Sequence, residues 1–238
     1  MELSDFIVSA LPITLLELLA ALFGTFYLQR KKETQNPERL LVMFLWVTFF
    51  VEFIGAYAPI AYFTKFKYFK FVEGTVYSDN YWLYNILILI TYIFYMWYFR
   101  WYLKDRKWRT ILGALIILYA GASIINLLIS DVYFTGFSQF SMFAGAIMLF
   151  LSVGLFYFEL LRSDIMLYLT RFLPFYISIG ALILHLCITP IDFFSKYFSA
   201  ANNVFVNLRV SILLYANIFM YATFILGFIV CSRRTKSY

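Results

Sequence analysis

Residues 1–32, MELSDFIVSALPITLLELLAALFGTFYLQRKK, decide the class of this protein. Two acidic residues, Glu2 and Asp5, precede a long apolar run, and the basic cluster Arg30, Lys31 and Lys32 closes it. A helix needs about 20 apolar residues to cross a hydrocarbon core about 30 Å thick, and this run supplies them. A cleaved secretory signal carries its basic residues first, so the reversed order predicts a retained first span. Six more runs of the same character follow. With ends uncertain by several residues, the seven lie at 6–28, 40–63, 81–99, 110–129, 141–161, 172–194 and 204–231. No connection between them is long enough for a separate soluble domain. The expectation is an all-α polytopic membrane protein with seven transmembrane helices in a single domain, residues 1–238.

Composition agrees. The chain is 63% hydrophobic and 13% charged, against roughly 45–50% and about 25% in ordinary soluble domains. A soluble fold of that composition would expose large apolar patches, which monomers avoid. Aromatic residues make up 23% of the chain, and Tyr and Trp suit the membrane–water boundary, where one end of the ring is wet. The formal net charge of +6 resides mostly in short loops and reads as a topology signal, which excludes nucleic acid as a partner. The run KDRKWR at 104–109 also suits contact with anionic lipid. Cys187 and Cys231 both sit in apolar segments, without the spacing of a disulfide framework or a redox pair.

Counting Lys and Arg gives the orientation. Fourteen fall on one side of the predicted spans (Arg30, Lys31, Lys32, Arg39, Arg100, Lys104, Arg106, Lys107, Arg109, Arg162, Arg171, Arg233, Arg234, Lys236), against five on the other (Lys65, Lys67, Lys70, Lys196, Arg209). The positive-inside rule then puts the N-terminus outside and the C-terminus in the cytoplasm. The compact loops suggest a bacterial inner membrane.

An internal echo runs through the chain at an offset of 130–132 residues. Phe26-Tyr27 answers Phe156-Tyr157, Arg39 answers Arg171, Pro59 answers Pro190, Phe63-Thr64-Lys65 answers Phe194-Ser195-Lys196, and Asn85 answers Asn217. This predicts parallel repeats at 1–100 and 141–238, joined by the fourth span at 110–129 as an inverting linker. Seven spans, an external N-terminus, a 3+1+3 layout and matched asparagines in the third and seventh spans are together similar to the SWEET and PQ-loop transporter group. The resemblance implies transport of a small solute between two three-helix halves. The Pro-Gln pair that names the PQ-loop group is absent, since Pro12 is followed by Ile13 and the fifth span has no proline. No residue roles are carried over.

Ionisable groups within a span are costly in lipid and usually face a bundle interior or a wet cavity. With a rise of about 1.5 Å per residue from the nearest basic flank, Glu17, Glu52, Asn85, Asn126, His185 and Asn217 fall within one slab of roughly 5 Å in the outer half of the membrane. Six polar side chains on six spans predict a polar cavity that binds a proton or a small-molecule substrate. His185 and a carboxylate could pass a proton near neutral pH. The competing reading is a hydrogen-bonded network that fastens helices together. Asp192 and Arg209 are expected to pair at the rim. Pro59 and Pro190 predict bends late in their spans. Gly24, Gly55, Gly113, Gly121, Gly145, Gly154 and Gly180 predict close helix contacts.

The remaining chemistry is sparse. One histidine cannot supply a bis-histidine haem or a multi-histidine zinc centre, and the chain has no P-loop, GxGxxG or GxSxG. No cofactor or metal is expected. Three functions stand: a small-solute or proton-coupled transporter or channel; a non-transporting seven-helix sensor or accessory subunit bound to a membrane-protein partner or to its own copies; and an intramembrane enzyme acting on lipid, for which Ser123 with His185 could be imagined as a dyad of a kind any polytopic protein offers.

Overall fold

Each predicted run is apolar on every side, as a helix surrounded by other helices or by lipid must be. The computed structural model describes residues 3–31, 34–194 and 203–232, and all seven runs fold as helices there. In chain order these are α1 (Leu3–Arg30), α2 (Asn36–Gly55), α3 (Tyr57–Phe63), α4 (Tyr81–Trp101), α5 (Arg106–Ile129), the single turn α6 (Val132–Thr135), α7 (Gln139–Leu160), α8 (Leu173–Phe194) and α9 (Asn203–Ser232). Short 3₁₀ turns occupy Lys70–Val72 and Asp164–Arg171. Seven spans are long and apolar enough to cross a membrane, with α2 and α3 together making one, and the described residues contain no strand. This is the architecture of a multi-pass membrane protein. Lys32, Ser195, Lys196, Arg233, Arg234 and Lys236, used above for orientation or repeat, lie outside the described residues.

Local chemistry sets the helix ends. Pro37 occupies the first turn of α2, where its missing N–H costs nothing, and the Gln35 N–H donates to Glu38 Oε2 at 3.1 Å. Asp105 caps α5 by accepting from the Lys107 N–H at 2.7 Å, and Ser138 caps α7 by accepting from the Ser141 N–H at 3.2 Å. The second span breaks between α2 and α3, and Pro59 supplies the reason. It has no N–H to offer the Gly55 carbonyl four residues back. That carbonyl instead accepts from Asn80 Nδ2 at 2.9 Å, so a side chain from the foot of α4 completes the broken ladder.

The long helices form a closed ring in the order α1, α2, α4, α7, α8, α9 and back to α1, while α5 lies outside, against α4 and α7. One end of the ring gathers Arg30, Lys31, Arg100, Lys104 and Arg162. The Asn80–Gly55 splice lies at the opposite end. The core is aromatic: Tyr27, Tyr98, Phe99, Phe224 and Phe228 are all essentially fully buried. Missing side chains admit some of these rings. A Cβ on Gly145 would lie 2.4 Å from the Tyr92 ring, one on Gly180 2.7 Å from Phe224, and one on Gly55 2.9 Å from the Tyr84 hydroxyl. Gly24 and Gly113 likewise accommodate Val42 and Arg100. Gly121 and Gly154 do not behave as expected, since a Cβ on either would meet nothing within 4 Å.

Gly145→Ala puts a methyl group into the root of the Tyr92 ring, with the Tyr119 hydroxyl 2.8 Å away on another side. Overpacking of this kind costs about 1–3 kcal/mol. The expected result is a lower unfolding midpoint in detergent micelles for Gly145→Ala, and no measurable change for Gly154→Ala, which fills open space.

Candidate functional site

Among the described residues, Glu17 and Glu52 are carboxylates from separate spans brought within electrostatic reach toward the opposite end of the ring. Glu17, on α1, is 3% exposed; its Oε1 accepts from the Tyr221 hydroxyl of α9 at 3.0 Å, and its Oε2 is buried with no hydrogen-bond partner. Glu52, on α2, is half-buried, and its Oε2 accepts from the Tyr84 hydroxyl of α4 at 2.6 Å. The two carboxylates lie within electrostatic reach of one another. Each is therefore gripped by one tyrosine from across the bundle, and neither is neutralised by a basic side chain. The geometry joins α1, α2, α4 and α9 around two acids, one of which keeps a buried carboxylate oxygen with no hydrogen-bond partner.

His185 is held elsewhere. It is 8% exposed on α8, its Nδ1 shares a 3.2 Å hydrogen bond with the Tyr92 hydroxyl, and the rings of Tyr92 and His185 have centroids 4.9 Å apart. Its Nε2 is buried without a partner, so neither ring nitrogen meets a carboxylate. The anchoring residues Tyr84 and Tyr92 are eight positions apart on α4, about 12 Å of helix. The acids and the histidine are thus two separate stations along α4. Ser123 Oγ is buried with no hydrogen-bond partner, so the Ser123–His185 dyad does not form. A cavity of about 240 Å³ between α7 and α8 has Tyr92 in its wall, along with Thr189 and Asp192. Asp192 pairs with Arg209 at 3.1 Å, the rim ion pair expected from the sequence.

The three asparagines have structural partners. Asn85, 1% exposed, donates from Nδ2 to the carbonyls of Val132, Tyr133 and Gly136 at 3.3, 3.2 and 2.8 Å, and its Oδ1 accepts from the Ser138 N–H at 2.8 Å. It clamps the α6 turn onto α4. Asn126 Oδ1 accepts from Ser138 Oγ at 2.9 Å, which ties α5 to the same turn. Asn217 donates to the Leu213 carbonyl of its own helix at 2.8 Å. The matched pair Asn85 and Asn217 therefore do different things, one fastening a loop and the other folding back on α9.

A second buried polar cluster, at the arginine-rich end, escaped the sequence reading. Glu38 is 4% exposed, and its Oε1 accepts from the Tyr27 hydroxyl at 2.7 Å and from Lys31 Nζ at 2.6 Å, while Lys31 Nζ also donates to the Tyr27 hydroxyl at 2.8 Å. Glu38 stands three residues after Gln35, the capping-box spacing, and that was the one available signal. Beside it, a cavity of about 250 Å³ is lined by Gln35, Tyr102, Lys104, Glu159 and Ser163 among others. Both Glu159 oxygens accept backbone N–H groups, from Lys104 at 2.5 Å and Asp105 at 3.0 Å.

Compared with known proteins, the chain matches no protein-family model, no curated protein and no solved structure.

Proposed function

We propose that this protein is a proton-coupled membrane transporter, with its N-terminus outside and its C-terminus in the cytoplasm, and that Glu17 and Glu52 are the proton-binding pair. One observation carries the reading: two carboxylates from different spans sit within electrostatic reach in the bundle, without a basic partner, and one carboxylate oxygen is buried with no hydrogen bond. Two anions held that way in a low-dielectric interior repel each other, and uptake of one proton removes the repulsion. A purely structural network would end with its lone pairs satisfied, as Asn85 does. Intramembrane acids without ion partners commonly mark proton relays. The closed ring order supports a pair of three-helix halves around this site, because exchanging α1, α2–α3 and α4 with α7, α8 and α9 preserves every neighbour in it. In that scheme α5 is the linker outside the ring. His185, held by Tyr92 beside the α7–α8 cavity, is then the second station, nearer the solute path.

The test is reconstitution of the purified chain into liposomes holding a pH-sensitive dye, under an imposed potential and with a panel of small solutes outside. The expected result is solute-dependent acidification in the parent and its loss in Glu52→Gln. Absence of any flux from the parent across the panel would overturn the proposal.

A further inference from the structure

The cavity between α7 and α8 has a wall of two kinds. Its apolar part is made by Phe140, Met142, Phe143, Ile188 and Phe193. Phe140, Phe143 and Phe193 are exposed on the outside of the bundle, the side that a multi-pass protein turns to lipid. The Phe143 and Phe193 rings, one from each helix, have centroids 5.5 Å apart. The polar part is Gln139, Thr189 and Asp192, and the buried Tyr92 of α4 closes the cavity from the ring side. His185, Ile188, Thr189 and Asp192 are spaced i, i+3, i+4 and i+7, so they share one face of α8. The histidine stands a turn before the wall and is joined to it through the 3.2 Å bond between its Nδ1 and the Tyr92 hydroxyl.

Size and charge narrow what fits. An apolar cavity of about 150 Å³ holds benzene. A cavity of about 240 Å³ therefore has room for about ten heavy atoms by the same proportion. Among the described residues of the wall, Asp192 is the one with a charge, and Arg209 pairs with it at 3.1 Å. The lining is thus close to neutral, and its apolar part cannot solvate an ion. A lipid tail would match the phenylalanines but leave the Gln139 amide and the Thr189 hydroxyl facing hydrocarbon. Small-molecule sites characteristically combine an apolar wall with a few polar groups that fix orientation.

We infer that the α7–α8 cavity is the substrate site, that its substrate is a small uncharged molecule with an apolar body and one O–H or N–H group, and that this molecule enters from lipid between Phe143 and Phe193. Its role in transport rests on the function proposed above; binding itself does not. The apolar body lies among Phe140, Met142 and Ile188, while the O–H or N–H donates to a side-chain oxygen of Gln139 or Thr189. A molecule seated there touches Tyr92, so occupancy is one hydrogen bond away from His185. The other ring nitrogen, Nε2, is buried with no partner and does not pin the imidazole against that change.

The chain has a single histidine, which makes the site directly observable. Full-length protein labelled with isotope only at histidine, and purified through a tag that has none, gives one imidazole signal in detergent micelles. Indole, p-cresol and cyclohexanol are titrated as probes, with indene as a match to indole that lacks the N–H, and benzoate as a charged control. At least one of the three probes is expected to move the imidazole signal saturably. Indene is expected to act about tenfold more weakly than indole, the worth of one hydrogen bond, and benzoate to leave the signal in place. Ile188→Phe, which fills the cavity, is expected to abolish the saturable shift. Should its unfolding midpoint fall, the shape-conserving double variant Gln139→Leu/Thr189→Val decides, with an expected loss of about tenfold in affinity. Shifts that climb without saturating for all three probes overturn the site, since they report partition into the micelle. Indene equal to indole, benzoate binding as well as p-cresol, or parent-like affinity in the double variant overturns the substrate class. A parent that binds a probe but shows no flux in liposomes keeps the site and loses the transport reading.

Discussion

Replacing Asn85 with leucine, nearly equal in volume, is expected to destabilise the fold far more than the same change at Asn217. The amide makes four hydrogen bonds, three to carbonyls around the α6 turn and one from the Ser138 N–H. The Val132 carbonyl keeps another donor, the Gly136 N–H at 3.1 Å. The Tyr133 and Gly136 carbonyls and the Ser138 N–H have no such substitute in the backbone of the turn. A buried polar group stripped of its partner costs about 1–3 kcal/mol, while hydrogen bonds inside membrane proteins average nearer 0.6 kcal/mol. Taking the low end for the three orphaned groups and the membrane figure for the fourth gives about 3.6 kcal/mol. Ser138 also caps α7 and meets Asn126 and Ser141, so the damage spreads from the turn to α5 and α7. Equilibrium unfolding of Asn85→Leu in detergent should show this drop. Asn217→Leu, which breaks only a bond within α9, should lose less than about 1 kcal/mol. Equal effects at the two positions would mean that the clamp has been misread.

The contrast between these asparagines marks the boundary of what the sequence could convey. The seven spans were legible because lipid demands long, continuous apolarity, and such runs are visible without knowing any neighbour. Glu17, Glu52 and His185 stood out for the same reason, as ionisable groups in apolar context. Their partners did not. Tyr84, Tyr92 and Tyr221 are three among 20 tyrosines, and only the docking of α4 and α9 against α1, α2 and α8 singles them out. Depth along a helix follows from counting residues, but the direction in which a side chain leaves the helix depends on packing, and Asn85 and Asn217 diverged on that point. Glu38 was hidden differently. Next to Arg39 in a short loop it read as ordinary solvated charge, yet the turn after α1 folds it under Lys31 and Tyr27. The break after Gly55 was half legible: Pro59 announced a bend, whereas the donor that repairs it, Asn80, lies 25 residues away.

Glu17→Gln is expected to separate function from stability in opposite directions. The glutamine carbonyl can still accept from the Tyr221 hydroxyl, so the α1–α9 tie remains. Its amide replaces the oxygen that has no partner and removes the charge that lies within electrostatic reach of Glu52. Removing that repulsion, and a buried unsatisfied group with it, should raise the unfolding free energy by about 1 kcal/mol. Flux should fall by at least about 100-fold, the effect of taking away the group that carries the proton, equivalent to about 2.7 kcal/mol on the barrier. Functional sites characteristically hold such strained, under-satisfied groups at a cost in stability. If the pair were only glue between helices, the same substitution would leave flux unaltered and either weaken the fold or leave it unchanged. Parallel measurement of dye acidification in liposomes and of unfolding in detergent, on one preparation of each variant, distinguishes the two. A variant that is more stable and inactive is what a proton-binding pair requires; a variant that is active, whatever its stability, is incompatible with Glu17 as a proton carrier.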